Sequence, residues 1–177
     1  MLISSDYKAQ QETLHDNPEY GKASIGYAPI VSQIVNTLGV THLLDYGAGK
    51  CRLFEHLKAD HKMKLQAYDP AIAALSAPPV PAEMVACIDV LEHVEPECLD
   101  EVLDDLERLA EAVVFLTIST SQAMKALPDG RNAHLIQQPI EWWLPKVWER
   151  FDLHTVQRTN ETSFFVVAYA RPNLVEH

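Results

Sequence analysis

Apolar residues along the chain fall into two alternating patterns, short continuous runs and stripes at helical spacing. The short runs predict four strands that are buried on both faces, at residues 42–46, 65–68, 84–90 and 113–118. Stripes at helical spacing predict helices at residues 30–38, 50–58, 99–109 and 141–150. Strands that alternate with helices predict an α/β fold with a doubly wound, mostly parallel sheet, whose ligands bind at the carboxyl ends of the strands.

The pattern changes at both ends of the chain. Two final apolar runs, residues 153–158 and 163–169, are separated only by Thr159-Asn160-Glu161, which predicts an antiparallel pair at one sheet edge. Residues 1–29 are polar and loosely helical, and we interpret them as a lead-in to, or a lid over, a single domain that covers residues 1–177. Tyr20 and Tyr27 fit either a lid or a surface position.

Charge and composition exclude several classes of partner. The formal net charge is -11 and no run of lysine or arginine is present, so a long nucleic acid is not an expected partner. No apolar run has the length that spans a bilayer, which predicts a soluble protein without a membrane partner. Three cysteines cannot all pair with one another, and we expect a reducing, cytoplasmic setting.

A glycine turn with two acids carries the chemistry at the first strand. Gly47 and Gly49 follow the strand directly and let the backbone approach a ligand closely. Arg52 fills the third position of a dinucleotide turn, where a small residue is needed, so NAD is disfavoured. Asp45 can neutralise an ammonium group, and Asp69 after the second strand can accept both ribose hydroxyls. S-adenosylmethionine combines these groups.

From about residue 25 onward the chain resembles the class I S-adenosylmethionine-dependent methyltransferases. Their first motif, acid-x-Gly-x-Gly-x-Gly, is matched by Asp45-Tyr46-Gly47-Ala48-Gly49-Lys50-Cys51, in which Cys51 replaces the last glycine. Asp69 matches their ribose-binding acid, and Ile88-Asp89-Val90-Leu91-Glu92-His93-Val94 resembles their fourth-strand motif. The resemblance implies a Rossmann-like sheet of seven strands. Residues 71–83 contain three prolines and are too short for a helix and a strand, so one edge strand is expected to be reduced or missing.

Two histidines are the candidate catalytic residues. Methyl transfer requires an aligned nucleophile and a base near neutral pH, for which His93 and His134 are suited. Glu92 or Asp89 can orient them, and Asp89 is also a candidate for contacting the cofactor. We therefore expect methyl transfer to a small, uncharged or cationic acceptor, with oxygen favoured over nitrogen.

A divalent metal is a further hypothesis for the same residues. Asp89, Glu92, His93 and His134 offer mixed oxygen and nitrogen ligands that suit Mg, Mn, Fe or Zn. The set resembles the Glu-x-x-Glu-His metal sites of small-RNA terminal 2′-O-methyltransferases and ubiquinone-pathway O-methyltransferases. Metal-free methyltransferases also carry a Glu-His pair here, where it packs under the substrate, so both interpretations stay open.

Three other functions compete with a small-molecule methyltransferase. A non-catalytic module could bind S-adenosylmethionine or another nucleoside, a methyltransferase could act on an RNA 3′ end or a nucleotide, and a dehydrogenase could bind NAD. Titration with S-adenosylhomocysteine and with NAD separates the cofactor classes.

Overall fold

The computed structural model describes residues 1–15, 17 and 21–171, which fold into a six-stranded sheet with helices on both faces. In chain order the helices and strands are α1 (Ser5–His15), α2 (Ala23–Leu38), β1 (His42–Tyr46), α3 (Arg52–His56), β2 (Lys64–Tyr68), β3 (Ala82–Ile88), α4 (Leu99–Leu109), β4 (Ala110–Ser119), α5 (Ile140–Trp148), β5 (Phe151–Asn160) and β6 (Ser163–Ala170). Short 3-10 turns lie at Ala73–Leu75, Leu91–His93 and Pro96–Cys98.

The sheet has the strand order β2-β1-β3-β4-β6-β5, in which β1 to β4 run parallel and β6 runs antiparallel to both of its neighbours. This confirms the predicted α/β fold with its antiparallel C-terminal pair. Within the described residues no strand lies outside β2, and the proline-rich segment that follows β2 contains only the 3-10 turn Ala73–Leu75. The expectation of a missing edge strand is therefore confirmed.

Two apolar layers hold the helices against the sheet. On one face, Val31 and Val35 of α2 and Leu53 of α3 pack on the strands with no exposed surface. On the other face, the apolar stripe of α4, which includes Leu103, packs together with Trp143 of α5. Burying a large apolar side chain stabilises a fold by about 1.5 to 3 kcal/mol, so each layer contributes substantially to anchoring the strand ends.

Several predicted boundaries were wrong for identifiable reasons. Helix α2 begins at Ala23, well before the predicted residue 30, because fully buried Ala28 extends its apolar stripe past Pro29. Strand β4 continues to Ser119 because antiparallel pairing with β6 extends to that residue. The helix predicted at residues 50–58 covers only Arg52–His56, since the glycine turn occupies its first positions.

The N-terminal segment forms a regular helix, α1, and then leads into α2. Tyr27, one of the two tyrosines considered for a lid, packs its ring edge-on against Phe115 at 5.9 Å between ring centres. Tyr20 lies outside the described residues. No helix within the described part of the chain is long and apolar enough to cross a membrane.

Candidate functional site

One pocket opens where the carboxyl ends of β1, β2 and β3 meet, at the sheet edge that the strand pattern predicted. It encloses about 1000 Å³, including its open mouth. One part of its wall is the glycine-turn end, formed by residues 45–49 and 69–71. The other part is the histidine end, formed by residues 88–90, 93–95 and the start of the chain through α1.

Gly47 is required by its backbone angle and by its neighbour. Its φ of 77° is in the left-handed region, and a Cβ placed on it would lie 2.4 Å from Cγ2 of Val90. The amides of Gly47 and Ala48 both donate to the carbonyl of Tyr68, at 2.8 and 3.0 Å. These two hydrogen bonds tie the turn to the end of β2 and fix its shape.

Cys51 occupies the position where the methyltransferase motif has its third glycine. Its φ of 56° is left-handed as well, so the backbone keeps the conformation that glycine would adopt. A non-glycine residue there costs about 1 to 2 kcal/mol. The departure from the motif therefore changes the stability of the turn but not its shape.

Asp45 is a buried acid that lacks a cationic partner among the described residues. Its side chain is 3 % exposed, and its Oδ2 atom has no hydrogen-bond partner in that part of the chain. Burial, reinforced by the charge of Asp69, raises the pKa of Asp45 to about 7. A ligand that brings a positive charge to this oxygen would relieve the cost of burying the carboxylate.

Asp69 is the second acid of the glycine-turn end. Its Oδ2 accepts the amide of Gly49 at 3.0 Å, and its Oδ1 accepts the amide of Ala71 at 2.9 Å. Each carboxylate oxygen can accept a further hydrogen bond, as ribose recognition needs. His15 of α1 lies 3.9 Å from Oδ2, and burial lowers the pKa of this histidine against the opposing effect of Asp69.

Asp89, His93 and His134 come together at the histidine end, with ligand atoms within 4.8 Å of one another. The imidazole rings meet edge-on at 4.7 Å between centres. Nδ1 of His93 donates to the carbonyl of Ala133 at 2.8 Å, and Nδ1 of His134 donates to that of Ser121 at 2.6 Å. Because a carbonyl only accepts, each ring carries its proton on Nδ1 and its lone pair on Nε2 when neutral.

The positions of the two histidines differ relative to the pocket. His93 forms part of the described pocket wall together with Asp89, whereas His134 is not among the described lining residues and packs against the His93 ring. Burial lowers the pKa of His93 to about 4, and Asp89 opposes this shift. His93 is therefore neutral at physiological pH.

Two local features place Asp89 and His134. Asp89 has a left-handed φ of 60°, and its amide donates to Oγ1 of Thr117 at 2.9 Å, so the chain turns sharply at the end of β3. Asn132 braces the loop that carries His134, because its Oδ1 accepts the amides of His134 and Ala123, both at 2.9 Å.

Glu92, the fourth predicted metal ligand, lies outside the group formed by the other three among the described residues. It is fully buried, and its Oε1 accepts the amide of Ser119 at 2.5 Å. Its own carbonyl accepts the amide of Ile136 at 3.0 Å. Burial and the charge of Asp89 raise the pKa of Glu92 well above its ordinary value. In this arrangement Glu92 joins the ends of two loops and does not face a shared metal.

Helix α1 contributes residues to the pocket that the sequence analysis did not identify. The hydroxyl of Tyr7 donates to the carbonyl of His93 at 2.5 Å, and Nε2 of Gln11 donates to that hydroxyl at 2.5 Å. Ser4 donates to the Glu95 carboxylate through its amide at 2.8 Å and its hydroxyl at 2.6 Å. The sequence could have indicated this role through Tyr7 and Gln11, which are four residues apart and therefore lie on the same face of a helix.

Comparisons with known proteins identify the fold. No protein-family model matches the chain, and no curated protein matches it. A solved 1,6-didemethyltoxoflavin-N1-methyltransferase from Burkholderia thailandensis, with bound 1,6-didemethyltoxoflavin and S-adenosylhomocysteine, has a TM-score of 0.70 and 14% identity over 97% of this chain and 92% of that one.

Two further structures show the same likeness. Magnesium protoporphyrin IX methyltransferase from Synechocystis PCC 6803, with bound S-adenosylhomocysteine, has a TM-score of 0.60 and 13% identity over 94% of this chain and 95% of that one. A SAM-dependent methyltransferase from Aquifex aeolicus has a TM-score of 0.57 and 17% identity over 91% and 97%. The chain therefore has the fold of the class I S-adenosylmethionine-dependent methyltransferases, as its motifs predicted.

Proposed function

We propose that the protein is an S-adenosylmethionine-dependent methyltransferase that acts on a small molecule, with transfer to oxygen favoured. The observation that carries the proposal is the pair Asp45 and Asp69, two buried acids on one pocket wall beside a left-handed glycine turn. Asp45 supplies the negative charge that the ligand's ammonium group needs, and Asp69 supplies acceptors for its ribose.

The glycine-turn end would hold the cofactor through Asp45, Gly47, Gly49 and Asp69, with Asp89 at the boundary to the histidine end. When bound, S-adenosylmethionine supplies an activated methyl group. His93 has its lone pair on Nε2 at neutral pH and can accept a proton from an acceptor hydroxyl. Asp89 favours the protonated His93 ring, and His134 orients it by edge-on packing.

The residues also fit a divalent cation, held by Asp89, His93 and His134 without Glu92. Each histidine donates Nδ1–H to a backbone carbonyl, which is the outer-shell arrangement that fixes a metal-binding imidazole. The low pKa of His93 favours metal binding, because the neutral ring does not have to lose a proton from Nε2 first. When bound, the cation would lower the pKa of an acceptor oxygen.

Metal binding is tested on protein purified without chelator, by elemental analysis and by the shift in melting temperature on adding Mn²⁺ or Zn²⁺. We expect His134→Ala to abolish the shift. The change His154→Ala is the matched control, because His154 packs on Tyr169 in the β5-β6 pair, far from the pocket in the fold. An identical shift in both variants would rule out the site.

The function itself is tested by calorimetric titration with S-adenosylhomocysteine, with NAD as the control, followed by a screen of small-molecule pools for transfer of a labelled methyl group. We expect saturable binding of the nucleoside, none of NAD, and transfer to a member of the pools. Binding without transfer to any pool would favour a non-catalytic binding module.

The three free cysteines fit a reducing, cytoplasmic setting, which we also propose.

A further inference from the structure

We propose that the pocket selects an uncharged or cationic methyl acceptor and excludes acceptors that carry a phosphate or carboxylate group near the reacting atom. This inference rests on the proposed function and specifies the substrate class of the same site. It is carried by the distribution of charge along the pocket wall.

Four carboxylates line the described pocket wall, contributed by Asp45, Asp69, Asp89 and Glu95. Neither lysine nor arginine is present among the described lining residues. The residues outside the described ranges, 16, 18–20 and 172–177, also contain no lysine or arginine in the sequence. Without a bound metal ion, the wall therefore has no permanent cation to compensate an anionic ligand.

Two basic side chains near the pocket, those of Lys50 and Arg131, already bind other groups. The ammonium group of Lys50, which follows Gly49, donates to the carbonyl of Asn17. The guanidinium of Arg131, on the loop before His134, pairs with Asp129 through NH2 at 2.7 Å and Nε at 2.8 Å. An anionic acceptor would have to displace these contacts to gain a counter-charge.

The histidine end combines two carboxylates, those of Asp89 and Glu95, with apolar walls. Leu2, Ile3, Val94 and Val102 line it, and Glu95 is only 8 % exposed. Ser4 donates two hydrogen bonds to the Glu95 carboxylate, which hold its side chain in place. Because charges interact more strongly where water is excluded, this acid repels a nearby anion more than a surface acid would. The apolar walls suit an acceptor with a compact hydrophobic body.

The same features argue against an RNA 3′ end or a nucleotide as the acceptor. Both bring phosphates within a few ångströms of any ribose hydroxyl, and proteins bind phosphates through lysine, arginine or helix N-termini. At the histidine end, where the acceptor would lie, the pocket wall offers the acids Asp89 and Glu95 instead. Transfer to a short RNA is accordingly one of the outcomes that would overturn the proposal.

The first experiment measures how binding in the pocket depends on ligand charge, using adenosine derivatives that differ in charge at the 5′ position. The probes are 5′-amino-5′-deoxyadenosine, 5′-methylthioadenosine and adenosine 5′-monophosphate, each titrated in competition with S-adenosylhomocysteine. We expect the monophosphate to bind at least tenfold more weakly than the neutral thioether and the amine to bind at least as well. Equal or tighter binding of the monophosphate would overturn the proposal.

The second experiment compares labelled methyl transfer to 4-methylcatechol, dopamine and 3,4-dihydroxyphenylacetate, which share one acceptor group and differ in charge. Glu95→Gln should raise the ratio of anionic to neutral transfer several-fold. The matched control is Glu97→Gln, an exposed acid outside the pocket lining, which should leave the ratio unchanged. Preferred transfer to the anionic member, or to a short RNA, by the unmodified protein would contradict the inference.

Failure of the two proposals can be told apart. If S-adenosylhomocysteine does not bind, the proposed function fails before acceptor charge is tested. If it binds and the monophosphate competes as well as the thioether, the cofactor assignment stands and only the acceptor class is wrong.

Discussion

The two ends of the pocket are built in different ways. The glycine-turn end comes from two short segments, residues 45–49 and 69–71, at the carboxyl ends of β1 and β2, and its hydrogen bonds link these neighbouring strands. The histidine end is assembled from α1, the turn after β3 and the loop before α5, which are far apart in sequence. The proposed nucleoside site thus depends on local sequence, whereas the proposed acceptor site depends on three separate segments docking together.

This difference suggests which end changes more easily. The carboxyl ends of adjacent parallel strands fix the glycine-turn end, so few substitutions leave it intact. Side-chain contacts such as Tyr7 to His93 and Ser4 to Glu95 hold the histidine end, and these can be exchanged without moving the sheet. The following substitutions test this contrast.

The largest effect is expected for Gly47→Ala, which should destabilise the fold by about 2 to 5 kcal/mol and abolish binding of S-adenosylhomocysteine. The added Cβ would meet the stiff side chain of Val90 at 2.4 Å in a left-handed backbone. Gly130→Ala is the control, because Gly130 also has a positive φ but open space around it, and it should cost only about 1 to 2 kcal/mol. Chemical denaturation measures both. Adding Val90→Ala to the Gly47→Ala variant should restore part of the lost stability. Equal losses of stability in Gly47→Ala and Gly130→Ala would refute the contact between the added Cβ and Val90.

Asp69→Ala should weaken binding of S-adenosylhomocysteine by about 1.5 to 3 kcal/mol, because charge-assisted bonds to the ribose are lost. The carboxylate also holds the amides of Gly49 and Ala71, so the melting temperature should fall as well. Asp60→Ala, at an exposed position after α3, is the control for calorimetry. Unchanged affinity in Asp69→Ala would remove this acid from the cofactor site.

Binding of S-adenosylhomocysteine should weaken by up to about tenfold for each pH unit below 7, because Asp45 must lose its proton to pair with the ligand's ammonium group. Binding weakens as the pH falls because the pKa of Asp45 is raised to about 7 in the ligand-free protein. A bound cation would lower this pKa. Calorimetry at pH 7 in buffers of different ionisation enthalpy should show proton release. Asp45→Asn should remove this release, and its persistence in that variant would assign it to another group.

Glu92→Gln should have the smallest effect, a change of less than about 1 kcal/mol in the free energy of unfolding. Burial raises the pKa of Glu92 and thus favours its neutral form, and glutamine has nearly the same shape. Its side-chain oxygen can still accept the amide of Ser119. The Mn²⁺-induced shift in melting temperature should also survive in this variant. Loss of that shift in Glu92→Gln would return Glu92 to the metal-binding group.

The sequence alone predicted most of the fold because its signals are local. Strand β1 matched the predicted residues 42–46, since a short apolar run ends at a glycine turn there. The predicted boundaries of helices and strands were less accurate where tertiary contacts determine them. Pro29 hid the first turns of α2, which the burial of Ala28 in the folded protein supports. Pairing with β6 determined the C-terminal end of β4 and both ends of β5.

The candidate site shows the same limit. Asp45, Gly47, Gly49 and Asp69 are recognisable because each lies at or just beyond the carboxyl end of a strand. Placing Glu92 in the metal group required knowing which way one side chain turns within a 3-10 turn, and a residue count does not determine this. The contribution of α1 depends on its docking against residues 93–95, a contact between segments nearly ninety positions apart.

The left-handed conformation of Cys51 has a consequence for how such turns are found. Cys51 is not among the described residues of the pocket wall, and its left-handed backbone costs only about 1 to 2 kcal/mol, so a chain with stability to spare can carry a non-glycine residue there. The geometry of the motif can therefore outlast its third glycine, and a search for this turn by backbone conformation would find chains that a search by sequence motif would miss.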